Sequence, residues 1–196
     1  MKDAILYKIL RPLITGFYKL FFRPKFIGTE NIPISGRVVL AGNHTSNFDA
    51  ALLISATKRN VHFLAKKELW NGPKKIIFGN LGLIPVDRKS KDGNALIIAE
   101  RYLKKEKLIG IFPEGTTEKT GEMLKFKKGA VKMATDTNSP IVPFVITGKY
   151  KLFSKDLTIK FLEPIKCDGD IKEETERLMN IIKEERENLR WIYLHF

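Results

Sequence analysis

The stretch Val38-Val39-Leu40-Ala41-Gly42-Asn43-His44-Thr45-Ser46-Asn47-Phe48-Asp49 leads from an apolar run into a polar turn and on into an alanine- and leucine-rich segment. The apolar run predicts a buried strand over 38–41, and the segment from Asn47 to Thr57 predicts a helix. A strand that feeds directly into a helix is the repeating unit of α/β sheets.

The same alternation continues outward. Strands are expected at 61–65, 83–86, 108–112 and 141–146, the last interrupted by Pro143. Residues 157–162 alternate as an edge strand does. Helices are expected at 93–105, 127–137 and 172–190. The apolar face of the last helix is Leu178, Ile181, Ile182 and Leu189, so it should cover the sheet. The expected fold class is α/β, with a largely parallel central sheet flanked by helices. No repeat, low-complexity tract or linker breaks residues 25–196, which therefore form one domain behind an N-terminal segment, 1–24.

Apolar residues make up 43% of the 196, which excludes a disordered chain. The formal net charge of +13 calls for anionic partners, such as nucleic acid, anionic lipid, phosphorylated substrates or an acidic carrier protein. A nucleic-acid module is disfavoured, because no recognised binding motif is present and the aromatics cluster in apolar runs. The single cysteine, Cys167, precludes an intramolecular disulfide and has no neighbour in sequence that would activate it.

Residues 4–22 are apolar but broken by Lys8, Arg11 and Lys19, so they fall short of a membrane span. As a helix, Lys8, Arg11, Thr15 and Lys19 share one face, while Ile5, Ile9, Leu13, Phe17 and Leu20 share another. That pattern describes an amphipathic helix lying in a membrane interface. A helix packed on the core is the alternative. Pro12 and Gly16 are expected to kink or split it.

Three strings at predicted strand ends carry candidate chemistry, since ligand sites in such sheets gather at carboxyl ends. In the first, His44 and Asp49 are separated by about 140° on a regular helix and would not share a face. Their contact requires His44 on the loop and Asp49 in the first helical turn. Ser46 as N-cap with Asp49 three residues on has the form of a capping box. The pair is therefore either a helix cap or a general-base dyad. The second string, Phe112-Pro113-Glu114-Gly115-Thr116, presents Glu114 where a strand stops, either toward a substrate hydroxyl or as a turn carboxylate. Gly110 and Gly115 have P-loop spacing, but Thr116 stands where that motif needs lysine. The third, Gly82 to Arg88, ends in an arginine able to grip phosphate through paired hydrogen bonds, or to serve as a solvated basic turn. Lys125, Lys127 and Lys128 place cations at the start of a predicted helix, against its dipole. No nucleophile elbow, dinucleotide fingerprint or metal-ligand cluster is present, and His62 and His195 fit structural positions.

Together these strings resemble the glycerophospholipid acyltransferase family. Its N-H-x-S-x-x-D block matches Asn43, His44, Ser46 and Asp49. Its F-P-E-G block matches Phe112 to Gly115, with Thr116 in the usual hydroxyl place. Gly82 to Arg88 resembles the arginine block, with Pro85 as a departure. Ile141 to Val145 resembles the proline block, and Phe126 to Ala130 the F-K-x-G-A segment. The resemblance implies acyl transfer from a thioester, acyl-CoA or acyl-acyl-carrier-protein, to the sn-2 hydroxyl of lysophosphatidic acid, with no further cofactor and no metal. It implies His44 as base and Asp49 as its orienting partner. It assigns Arg88, Glu114, Gly115, Thr116, Lys125 and Lys127 to the acceptor. It implies a peripheral or monotopic place on the cytoplasmic face of the cell membrane, against an anionic surface. Glycerol-3-phosphate or another lysophospholipid remains an alternative acceptor, and a catalytically silent membrane-surface protein an alternative class.

Overall fold

The computed structural model describes residues 5–67, 72, 79, 82–86, 94–118 and 121–195. The chain order is α1 (Ile5–Phe21), β1 (Lys25–Ile27), β2 (Val38–Gly42), α2 (Asp49–Ala56), β3 (Val61–Lys66), β4 (Leu83–Val86), α3 (Asn94–Leu103), β5 (Leu108–Ile111), α4 (Gly129–Asp136), β6 (Ile141–Thr147), β7 (Thr158–Phe161) and α5 (Ile171–His195). A short 3-10 turn, Thr29–Asn31, follows β1.

The strands form one sheet in the order β1-β7-β6-β2-β5-β3-β4. β6, β2, β5, β3 and β4 are mutually parallel, and β7 pairs antiparallel to β6. β2 and β6 are buried along their whole length, as near-continuous apolar runs in a parallel sheet should be. On one face, α2 and the inner side of α1 pack over Leu40, Phe63, Val142 and Phe144. On the other, α3, α4 and α5 pack over Val39, Ile109, Ile141 and Val145. Leu178 and Ile182 of α5 are fully buried there, so the C-terminal helix covers the sheet as its pattern predicts.

Three local expectations need correction. Residues 157–162 do not form the edge, because β1 pairs parallel to β7 outside it. The three-residue strand Lys25-Phe26-Ile27, between Pro24 and Gly28, is too short to show a period. Pro143 does not interrupt β6, which runs unbroken from Ile141 to Thr147. The Pro143 carbonyl accepts from Leu162 N at 2.8 Å, just beyond the last residue of β7. Its missing N–H faces Leu162 at the end of that ladder, so only the terminal return bond is forgone and the strand continues.

Neither does Pro12 split α1, which is one helix of 17 residues. Pro12 lies on the exposed side with Lys8, whose carbonyl it cannot engage, so that carbonyl is left beside solvent. Tyr7, Tyr18 and Phe22 bury one flank of this N-terminal segment in the core. Ile9, Leu13, Phe17 and Leu20 are about half exposed on the other, with Lys8 and Lys19 also exposed. The basic stripe is not uniform: Arg11 turns inward, and its Nε donates to Thr57 O at 2.6 Å. Among the described residues no helix is long and apolar enough to cross a membrane.

Candidate active site

The register of the sheet assembles the site. Ala41 of β2 pairs with Ile111 of β5, so the two strands release their chains side by side at the same edge. Three residues on, His44 and Glu114 meet: His44 N donates to Glu114 Oε1 at 2.7 Å. On the other side of β2, Asn43 extends the ladder with its side chain. Its Nδ2 donates to Ile146 O at 2.9 Å, and its Oδ1 accepts from Ile146 N at 2.8 Å. Gly42 is required beneath this turn, since a Cβ there would lie 2.4 Å from the Phe144 ring. Both backbones flanking the histidine are thus fixed.

His44 and Asp49 are in contact, with Nδ1 of His44 2.9 Å from Asp49 Oδ2. The loop-to-first-turn geometry needed for that contact is present. The regular helix begins at Asp49 itself, later than the predicted start at Asn47, and a turn over Asn47 and Phe48 precedes it. Ser46 Oγ accepts from Phe48 N at 3.2 Å, while Asp49 reaches back to Ser46 N at 2.8 Å. Ser46 is therefore not the N-cap: Phe48 holds that position without a side-chain cap bond, and Asp49, as the first helical residue, holds both the Ser46 amide and the imidazole.

Asp49 is fully buried, which an ionised carboxylate tolerates only when its oxygens are bonded. Besides His44, Oδ2 accepts from Thr45 N at 2.6 Å and Ser46 N at 2.8 Å. Oδ1 accepts from Tyr150 OH at 2.6 Å and from Thr45 Oγ1 at 3.2 Å. The His44 side chain is 17% exposed, and its ring stacks on Phe112 at 4.1 Å and 13°. One face of the imidazole is thereby closed off. With Nδ1–H directed at Asp49, the neutral ring carries its lone pair on Nε2.

Glu114 is also buried, and burial pushes its carboxyl above the ordinary glutamate range. Its bonds from His44 N and Leu124 N, and the Arg186 charge, pull the other way. Oε2 takes Leu124 N at 2.8 Å, so this carboxylate joins the His44 turn to the segment before α4. Glu118 N donates to His44 O at 3.0 Å, and Arg186 of α5 reaches both Glu118 Oε1 at 3.5 Å and Gly121 O at 3.2 Å.

Gly115 has φ +74°, a conformation glycine adopts without strain. The Lys127 ammonium lies over it: a Cβ at Gly115 would be 2.5 Å from Nζ. Lys127 N donates to Pro113 O at 2.9 Å, which straps the two strings together. Thr116, Lys125 and Lys127 are exposed at this rim. Lys125 and Lys127 precede α4 instead of entering it, so only Lys128, at the N-cap position, opposes its dipole. Arg88, two residues past β4, lies outside the described residues. Among the described residues no group of three His, Cys, Asp or Glu side chains converges as metal ligands would.

Reasoning from the sequence missed Tyr150 and gave no part to Asn43. The signal for Tyr150 was its place just past β6, at the same sheet edge as His44 and Glu114. His62, by contrast, sits inside β3, with Nδ1 3.0 Å from Gly82 O and its ring edge-on to Tyr102.

A buried carboxylate grips a partly exposed imidazole at the carboxyl edge of a parallel sheet. The chain belongs to the Acyltransferase family, whose family model matches residues 23–147. It is 32% identical over 161 residues to a 1-acyl-sn-glycerol-3-phosphate acyltransferase of Cocos nucifera, covering 74% of this chain and 51% of that protein. It is 34% identical over 133 residues to the protein of that name from Borreliella burgdorferi, covering 66% and 53%. The chain thus spans about half the length of these curated relatives. The crystal structure of the 1-acyl-sn-glycerophosphate (LPA) acyltransferase PlsC from Thermotoga maritima is similar with a TM-score of 0.77 and 26% identity. That match covers 94% of this chain and 81% of the other.

Proposed function

We propose that this protein transfers a fatty acyl group from a thioester to the sn-2 hydroxyl of 1-acyl-glycerol-3-phosphate, giving phosphatidic acid. The names of its relatives support the acceptor class, and the His44–Asp49 contact carries the mechanism. Asp49 holds the proton on Nδ1, so Nε2 takes the acceptor's hydroxyl proton as its oxygen attacks the thioester carbonyl. A C–O bond forms. The tetrahedral intermediate then collapses with cleavage of the C–S bond, and the thiolate leaves with the proton returned from Nε2. The chain needs no acyl-enzyme for this sequence, and coenzyme A or a carrier protein serves as the thiol.

The acceptor's phosphate and glycerol fall to the cationic rim of Lys125 and Lys127, with Gly115 and Thr116 lining the turn; Arg88 is assigned to the phosphate on its sequence motif alone. Glu114 shapes that turn through its two backbone bonds and stands beside it to meet a glycerol hydroxyl. The exposed apolar side of α1, with Lys8 and Lys19 beside it, supports a seat for the site at an anionic membrane surface. Vesicles with and without anionic lipid test that placement. Equal retention on both, or none on either, would remove it.

Thioester consumption in the presence of lysophosphatidic acid tests the reaction. His44→Ala should lower the rate by about 10²–10⁴-fold while leaving the thermal transition in place. Undiminished turnover in that variant would sink the mechanism. A panel with glycerol-3-phosphate and lysophospholipids of larger head group, at fixed donor, assigns the acceptor.

A further inference from the structure

The two oxygens of Asp49 are held differently. Oδ2 receives two backbone amides, from Thr45 and Ser46, in addition to His44 Nδ1. Oδ1 has side-chain donors, and the shorter bond is from Tyr150, whose hydroxyl lies 2.6 Å away. We propose that Tyr150 is a positioning residue for the His44–Asp49 pair: its hydroxyl fixes the rotation of the Asp49 carboxylate, so that Oδ2 stays on Nδ1 and His44 keeps the tautomer that leaves Nε2 as base. The assignment of a rate to this role rests on the acyl-transfer reading above.

The surroundings of Tyr150 fit a fixed pointer. Its ring is gripped by three aromatic side chains from two segments. Tyr18 packs edge-on at 6.4 Å and Phe22 edge-on at 5.6 Å, while Phe48 is tilted against it at 5.7 Å. Tyr18 in turn donates its own hydroxyl to Phe48 O at 2.8 Å, one residue before Asp49. A phenol clamped in this way directs its proton along one line, and an O–H donated to a carboxylate at this distance is a charge-assisted bond. Burial, with the Asp49 charge adding to it, pushes the Tyr150 hydroxyl far above the ordinary tyrosine range, so it remains a donor throughout the working pH range. Among the described residues the charged and titratable groups that meet the pair are Glu114 and Glu118 from the segment after β5, Tyr150 from the segment after β6, and Tyr18 from α1. Tyr150 alone among these places a hydrogen-bond donor on Asp49.

Tyr150→Phe keeps the ring and removes the hydroxyl. In the full chain, with lysophosphatidic acid and an acyl thioester, kcat should fall about tenfold, the low end of what one hydrogen bond to a charged group is worth. KM for the acceptor should stay within about twofold, because no substrate contact is lost. The acid limb of the pH–rate profile should move to higher pH, since a carboxylate stripped of one donor holds the imidazole proton more tightly. Nitrogen-15 spectra of the His44 imidazole in substrate-free protein supply a readout independent of turnover: one tautomer in the wild type, a mixture in the variant. Tyr18→Phe is the matched control, since it removes a buried hydroxyl from the same aromatic cluster without touching Asp49. It should leave kcat within about twofold. Wild-type rate, profile and spectrum in Tyr150→Phe would overturn the role, as would an equal loss of kcat in Tyr18→Phe. Failure of the wild type to consume thioester would fell the acyl-transfer reading, and the spectra would still decide whether Tyr150 sets the tautomer.

Discussion

His44 and His62 belong to one sheet, with β5 between their strands, and could hardly be placed more differently. His62 lies within β3, 4% exposed, with a backbone carbonyl at Nδ1 and Tyr102 against its ring. His44 lies just past β2, partly open, with a buried carboxylate at Nδ1 and Phe112 beneath it. Both have an aromatic neighbour and an oxygen at Nδ1. What separates them is the charge on that oxygen and the exposure of the ring. A carbonyl orients an imidazole, whereas a carboxylate also stabilises the cation that forms when the ring takes a proton.

That contrast can be tested to destruction. The widest separation is in rate: alongside the His44→Ala loss, His62→Ala should cost about 1–3 kcal/mol of stability yet leave kcat within about twofold. Comparable losses of kcat in the two variants would abolish the distinction. A smaller effect is expected at Glu114, which braces the His44 turn through its backbone bonds. Glu114→Gln keeps one acceptor oxygen but turns an amide N–H₂ toward a backbone N–H, and should lose about 1–3 kcal/mol at neutral pH. Because burial raises the Glu114 carboxyl, the folded chain binds that proton more tightly than the unfolded chain. Its contribution to stability is therefore full at low pH and lost as pH rises through the raised value. Denaturation midpoints should show the wild type's advantage over Glu114→Gln widening as pH falls from neutrality toward 4.5. An advantage that shrinks instead would mean that the bonds from His44 and Leu124 outweigh burial.

Much of this was legible in the chain because strand ends and chemistry coincide. The strand at 83–86 was placed to the residue, and β2, β3, β5 and β6 to within one residue at either end. Parallel buried strands are apolar throughout and bounded by polar turns, which makes them easy to delimit. The His44–Asp49 contact could be anticipated because Asp49 falls in the first turn of the helix after the His44 loop, although it opens that turn and does not stand third behind a Ser46 cap. Pairing partners are another matter. β1 has three residues and no period, and only its contact with β7 makes it a strand. Tyr150 is a hundred residues from Asp49 in sequence, and nothing local to either announces the other. Glu114 was visible as a strand-end carboxylate. That its two oxygens bridge two backbones depends on the β2–β5 register, which composition does not encode.

The reversed edge of the sheet also orders events in time. β1 takes its place only beside β7, where Lys25 meets Thr158. During synthesis at about 5–20 residues per second, that partner arrives on the order of 130 residues later, after roughly 7–26 s. Phe153, whose amide closes on Phe21 O at the end of α1, arrives barely sooner. For those seconds the amphipathic first helix has its partners at Phe48, Thr57 and Arg59 but not its final anchorage beside β7.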